Sequence, residues 1–529
     1  MRTIIALVYA AGLLPAQVAS IEGARIAAHM KFLSSDLLEG RAPATRGGEL
    51  TEQYIAAQFG AAGLKPAGDK STFLQRVPLI SVSVEGRPSF SVKGPGGAQG
   101  LQWMDEISGK PNNQQARVRL DAEAVFAGYG ITAPEYGWNS YKDVDVRGKT
   151  VVLFTGEPPS DDPKFFGGAA LTYYGRWTYK FEEAARRGAA AALIIHTTPT
   201  ASYGWNVVRG FSREEPQVRL KEGAHALSFA GWVSTEAAER SFGRKVDDLL
   251  TQAGRRDFRP EPLGVRLTAE VSVKLREAVT HNIVGIAPGR DPRGPGEAVV
   301  FTSHWDHLGV GPAVNGDAIY NGSLDNASGV AMLIEMARAW VSMEPKPRRS
   351  AIFAAVTAEE SGLLGSAYLA ENPPVPAGRL AANLNVDMLP PFGRNLGMIA
   401  LGSERTTLWP LMQEMAKRFQ LEIKPDPRPA AGSYYRSDHF NFARAGVPAF
   451  SIGMAGGFAG KSEAETRDFV ATHYHQPSDE WREDFDFSGV ELMARLVTTL
   501  GIDIANLERL PTWQAGDEFL PARERSGVK

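Results

Sequence analysis

His304 with Asp306, Asp325, the adjacent pair Glu359 and Glu360, Asp387 and the run His473-Tyr474-His475 are the side chains whose types and spacing could do chemistry together. Each alone has an ordinary explanation. Asp325 stands ahead of an apolar helical stretch and suits an N-cap, the two glutamates suit the first turn of a helix, and His439 or His473 alone suits a structural histidine. Together they are harder to explain that way, because carboxylates converging on one edge repel unless a cation offsets them. The chain contains no cysteine, so a metal must be held by imidazole and carboxylate. That donor set suits zinc, with manganese or cobalt as substitutes, and disfavours calcium. Two histidines and three carboxylates exceed the three protein ligands of a mononuclear catalytic zinc site. A pair of ions about 3.5–4 Å apart, bridged by one carboxylate, accounts for the surplus.

The elements that must position these residues follow a βαβ pattern from Thr280 onward. Strand-like 298–303 leads into His304 and Asp306, 351–357 into Glu359 and Glu360, and 382–386 into Asp387. Between them, 327–341 repeats its apolar residues Val330, Leu333, Ile334, Ala337 and Val341 at helical spacing. Helices are also expected at 363–371, 408–419 and 490–504, and a strand at 449–452. This alternation predicts an α/β fold with a largely parallel sheet and helices on both faces, whose reactive groups collect at the carboxyl edge of the strands.

Upstream, 21–120 reads as leader helices and short strands belonging to the domain with the candidate residues, 121–268 as a separate α/β insert, 269–510 as the main part of that domain, and 511–529 as a disordered polar tail. The start, Met1-Arg2 followed by an apolar stretch of about 13 residues and the small-residue exit Val18-Ala19-Ser20, predicts a signal peptide over 1–20. Export of a chain without disulfides fits a bacterial periplasm or medium. No later apolar run approaches the ~18 residues that would span a bilayer. The 57 basic and 60 acidic residues give a net charge of -3, which offers no general field for a phosphate backbone, so nucleic-acid binding is not expected.

The ordered set Ser303-His304-Trp305-Asp306, Asp325-Asn326-Ala327-Ser328-Gly329, Glu359-Glu360-Ser361-Gly362, Asn385-Val386-Asp387, Ser437-Asp438-His439 and Tyr474-His475-Gln476-Pro477-Ser478-Asp479 resembles the M28 family of cocatalytic zinc aminopeptidases. The leader motif Ser34-Ser35-Asp36-Leu37-Leu38-Glu39-Gly40-Arg41 is similar to the start of the same family, and 121–268 to a protease-associated (PA) domain. The resemblance implies a zinc-exopeptidase fold with two zinc ions, His304 and Asp387 on one, Glu360 and His475 on the other, and Asp325 bridging. It implies Glu359 as general base toward a metal-bridging water, Asp306 as the partner of the second nitrogen of His304, and Tyr474 as a hydrogen-bond donor to the oxyanion. Spacing leaves His473 or His475 open as the ligand, and the His-x-Pro-x-Asp pattern favours His475. It also leaves the roles of Glu359 and Glu360 exchangeable, with family order placing the base first. Asp438 and His439 are expected to support the site, and His307 to lie beside it without a part.

The activity so implied is removal of N-terminal residues from peptides with a free N-terminus, in an oligomeric state the sequence leaves open. A deacylase, a carboxypeptidase or a glutaminyl-cyclase-like enzyme would use the same fold, and a non-catalytic scaffold is the reading from another class.

Overall fold

A computed structural model describes residues 15–94, 97–201, 203–210, 215–291, 296–461 and 463–528. The expected export signal therefore lies mostly outside the described residues. Only its end is seen, a short helix Ala16–Ala19 in which Val18 is buried. The chain divides into two units, one comprising the residues up to Val77, Val279–Asp426 and those from Arg436 onward, the other Pro78–Ala278 and Pro427–Tyr435.

The first unit opens with helices α1 (Gly23–Leu33) and α2 (Arg46–Ala61). It continues with the end of strand β1 (Glu261–Ala287), then β2 (Ala298–His304), α3 (Ser328–Val341), β3 (Ser350–Val356), α4 (Leu364–Glu371) and β4 (Leu380–Val386). After these come β5 (Asn395–Leu401), α5 (Trp409–Arg418), β6 (Glu422–Ile423), α6 (His439–Arg444), β7 (Ala449–Phe458), α7 (Glu463–His473) and α8 (Ser488–Asn506). Strand order in this unit is β6-β5-β7-β4-β2-β3-β1. The β2–β3, β2–β4, β4–β7 and β5–β6 pairs are parallel, and β1–β3 and β5–β7 antiparallel, so the sheet is mixed and mostly parallel.

The strands form because their residues are apolar on both faces, as a sheet covered on both sides requires. Val299 and Phe301 of β2, Phe353 and Ala355 of β3 and Leu384 of β4 enter one core with residues of α3 and α8. Phe301 stacks on Phe353 at 4.9 Å, and Trp340 of α3 meets Phe301 edge-on at 5.5 Å. Helix α8 comes so close that a Cβ on Gly501 would stand 2.3 Å from the Phe301 ring. Helices α4 and α6 contact β3, β4 and β7 and are tied together where the Asn441 amide donates to the Leu363 carbonyl at 3.0 Å. Register pairs His304 with Val356 and Thr302 with Asn385, so the three strands end at the same edge.

Two expectations about boundaries require correction. The second unit begins near Pro78, not 121, because the earlier strands pair within it. Phe90 to Gly94 pairs antiparallel with Leu101 to Gly97, and Ile107–Lys110 pairs with 230–233. Within that unit, Arg117–Phe126, Thr150–Leu153, Ala191–Ile195 and Phe229–Val233 are successive parallel neighbours, with helix Trp177–Arg186 contributing Phe181 to a core around Val151, Ile194 and Trp232.

The segment after Pro511 is likewise no disordered tail. Trp513 is buried and donates its indole N–H to the Gly446 carbonyl at 3.0 Å, helix Leu520–Arg525 follows, and the Arg523 guanidinium is buried against the carbonyls of Pro511 and Ala377. A charged composition suggests solvation, whereas main-chain carbonyls take up Arg523 and the Arg405 guanidinium pairs with Asp517 and Glu518, each at 2.8 Å. Trp513→Ala is expected to cost about 3–5 kcal/mol of stability, read as a lower denaturation midpoint. An unchanged midpoint would mean that this segment does not belong to the folded unit.

Candidate metal centre

The site lies where β2, β3 and β4 end and draws on the loops that follow them. His304 is the last residue of β2 and is buried. Its Nε2 lies 3.2 Å from Asp325 Oδ1 and 3.2 Å from Asp387 Oδ1. Its Nδ1 lies 3.1 Å from the Asp306 main-chain carbonyl, which leaves Nε2 as the nitrogen turned toward the acids. Asp325 enters from an irregular turn, residues 323–327, ahead of α3, so it is not an ordinary N-cap.

On its other side, Asp325 turns Oδ2 to His475, whose Nε2 lies 3.2 Å away and 3.1 Å from Glu360 Oε2. Glu360 in turn presents Oε1 to His307 Nδ1 at 2.7 Å. The two oxygens of Asp325 therefore face two different donor groups. One group is His304, Asp325 and Asp387, the other His307, Asp325 and Glu360; in each, the ligand-type atoms lie within 4.8 Å of one another. His475 Nε2 is buried, close to two carboxylates, and makes no well-directed hydrogen bond. That arrangement fits divalent cations better than protons, since lone pairs point at a common position without a hydrogen between them. His475 and Asp387, with side chains 32% and 19% exposed, form the open side of the group.

The electrostatics agree. Burial works against protonation of His304, yet the charges of Asp387, Glu359 and Asp325 outweigh it and hold its pKa well above the ordinary imidazole value. His475 behaves likewise and is pushed up to about 10 by Asp325 and Glu360 against the effect of burial. Burial, reinforced by Asp387, Glu360 and Asp438 and opposed by His304, raises Glu359 well above the carboxylate range. Burial also raises Asp306 and Asp438 to about 7 each. Without cations, the cluster must bind protons to hold so many acids together.

The surrounding residues hold these groups in place. Ser437 Oγ donates to Asp387 Oδ2 at 2.7 Å and itself accepts from the Asn385 amide at 2.8 Å, leaving Oδ1 to face His304. Asp479 accepts the main-chain N–H groups of Leu324 at 2.8 Å and Asp325 at 3.1 Å. His473 bonds the Thr472 hydroxyl at 2.9 Å, so of the two candidates the structure brings His475 to the acids. The Tyr474 ring stacks on that of His475 at 3.8 Å, and burial together with Asp325 and Glu360 raises its phenol above the usual range.

Residues 282–500 match the family model described as Peptidase family M28. The matched segment carries the whole of the site. The chain is 33% identical over 108 residues to a probable zinc metalloprotease of Pyrenophora tritici-repentis, covering 20% of this chain and 21% of that protein. It is 27% identical over 190 residues to leupeptin-inactivating enzyme 1 of Streptomyces exfoliatus, covering 36% and 38%. The chain thus spans well under half the length of these relatives. Among solved structures, the aminopeptidase from Aneurinibacillus sp. strain AM-1 matches with a TM-score of 0.48 at 17% identity, covering 91% of this chain and 94% of that one.

Within the matched segment, the expected contact of Asp306 is corrected. Its carboxylate lies 3.8 Å from His304 Nδ1, and the carboxylate oxygens instead accept the main-chain N–H groups of Glu359 at 3.1 Å and Glu360 at 3.4 Å. His304 Nδ1 instead donates to the backbone carbonyl of Asp306, a contact that residue spacing cannot distinguish from one to the side chain. Asp306→Asn would turn an NH2 toward an N–H, so it is expected to weaken metal binding about 10–100-fold in a chelator competition. Unchanged affinity would show that the Glu359-Glu360 turn holds without it. His307, expected to have no part, is a member of the second donor group and holds Glu360 Oε1 through its Nδ1 at 2.7 Å. The signal for it was its spacing of three residues from His304, which is uninformative on a segment that is neither helix nor regular strand.

Proposed function

We propose that the chain is an exported zinc-dependent aminopeptidase acting on peptides with a free N-terminus. The observation that carries this reading is the division of the Asp325 carboxylate between two imidazole–carboxylate groups, beside a glutamate whose basicity is raised. In this reading His304 and Asp387 hold one zinc, Glu360 and His475 the other, and Asp325 is shared, while His307 fixes Glu360 through its second oxygen. When bound, the zinc ions supply Lewis acidity that polarises the scissile carbonyl and acidifies water. Glu359 accepts the proton of the attacking water and returns it to the departing amine, so the bond to the N-terminal residue breaks with its proton supplied locally. Asp306 holds the Glu359-Glu360 turn through its two backbone N–H groups. Tyr474, kept protonated by its acidic surroundings, donates a hydrogen bond to the developing oxyanion. Export rests on the basic, then apolar, N-terminus, and among the described residues no helix is long and apolar enough to cross a membrane.

A panel of free aminoacyl-nitroanilides and their N-acetyl counterparts tests the reading. Cleavage of the free-amine substrates is expected, lost with chelator and restored by zinc. Preference for the acetylated set would point to a deacylase, and a metal-loaded protein inert on both would remove the enzyme reading. An uncleaved N-terminus on protein recovered from the producing cells would remove the export reading.

A further inference from the structure

The leader motif Ser34–Arg41 has no part in the chemistry above, yet its last residue is one of the most deeply buried charges in the protein. Arg41 is 1% exposed. Among the described residues no carboxylate pairs with it. Its guanidinium is taken up by main-chain carbonyls, with Nε donating to Trp305 at 2.9 Å, Nη1 to Leu33 at 2.6 Å and to Asn321, and Nη2 to Gly322 at 2.9 Å. Burying a cation with no carboxylate in contact is costly, and the charges of Asp479, Asp306, Asp325 and Glu360 offset only part of that cost, so the arrangement calls for a reason.

The positions of those carbonyls suggest one. Trp305 directly follows His304, and Asn321 and Gly322 lead into the turn that carries Asp325. Between them the chain runs out through a hairpin, Gly309–Val314 paired with Asp317–Tyr320, whose Val310 is 63% exposed. The two donors thus stand at the ends of a long excursion, and closing such a loop has an entropic cost that some contact at its base must offset. Arg41 spans that base. The contact is reciprocal, since the Asn321 side-chain amide donates to the Ser34 carbonyl and to Asp36 Oδ1, both at 2.9 Å, and the His307 N–H donates to the Arg41 carbonyl at 3.4 Å. Gly40, at φ +67°, lies so near the hairpin that a Cβ would stand 2.5 Å from the Tyr320 carbonyl and 2.6 Å from that of Gly309.

We infer that the leader motif, through the Arg41 fork, is a positioning clamp for the metal centre, holding the His304 and Asp325 segments at the separation their donors need before ions arrive. Arg41 touches no reacting atom and acts through main chain. The inference rests on the metal reading above and adds to it a residue far away in sequence. Arginine suits the task because its planar fork reaches several acceptors at once, whereas lysine offers a single point of charge.

Arg41→Lys keeps the charge and removes the fork. In the full-length protein, zinc affinity is measured by competition with a chromophoric chelator, the absorption spectrum is recorded with cobalt, and folding is checked by circular dichroism. Folded Arg41→Lys is expected to bind zinc about 10–100-fold more weakly, with a shifted cobalt spectrum. Asn321→Ala is expected to weaken zinc in the same direction, and the double variant to lose less than the two single losses combined, because both residues hold one segment. A folded Arg41→Lys protein with wild-type zinc affinity and cobalt spectrum would overturn the clamp. Should Arg41→Lys fail to fold, Asn321→Ala decides, and wild-type affinity there overturns it equally. Failure of the unaltered protein to take up zinc would instead overturn the metal reading.

Discussion

Glu359→Gln is expected to leave the zinc content of the protein unchanged while lowering kcat about 10²–10⁴-fold, the usual worth of a positioned general base. The amide is almost isosteric and can still accept a hydrogen bond, but it cannot take a proton from water. The backbone of residue 359 is held by Asp306 irrespective of the side chain, so the turn and the neighbouring Glu360 should stay in place. Burial and the charges of Asp387 and Glu360 raise the Glu359 carboxyl, which makes it a stronger base than an exposed glutamate. Steady-state kinetics with metal analysis on the same sample checks this. Activity within tenfold of wild type at full zinc content would remove Glu359 from the role. Glu360→Gln offers the contrast. Its oxygens face His307 and His475, so its expected signature is loss of metal, with activity falling as a consequence.

The second large effect is expected at Asp325. Its two oxygens stand 3.2 Å from His304 and 3.2 Å from His475, so Asp325→Ala removes a donor from both groups in one step. Equilibrium dialysis should show uptake of both ions weakened, and activity should fall to background at zinc concentrations that saturate the wild type. Other ligands predict a different outcome. Asp387→Ala touches only the His304 side and should leave one ion more tightly held than the other. If Asp325→Ala and Asp387→Ala had the same metal stoichiometry and affinities, the sharing of Asp325 would be wrong. Chelation of the wild type has a related expectation. Ligands that bind only the folded state stabilise it by about 4 kcal/mol at a thousandfold excess over Kd, so chelated protein should melt at a lower temperature than zinc-loaded protein.

The candidate donors were legible because strand, reactive residue and helix follow one another in the chain. Periodicity located β2, β3 and β4 to within a residue or two, and the acids and imidazole just beyond each strand then fall at one edge for topological reasons. Strand β5 went unread, since its Asn395 and Gly397 resemble a loop and its partner is an antiparallel neighbour, β7, that local pattern cannot announce.

What one-dimensional order conveyed, then, was chemistry of a type. An absence of thiols, a set of imidazoles and carboxylates, and strands to present them are all properties of residues and their near neighbours. Which oxygen faces which nitrogen was settled only by folding, as were the approach of His475 rather than His473 to the acids, the contact of His307 with Glu360 and the backbone contact of Asp306. The same holds for Arg41, which lies 264 residues from the carbonyl it binds at Trp305. Contacts between segments so far apart depend on how the sheet and its loops close in space, and neither spacing nor composition along the chain records that closure.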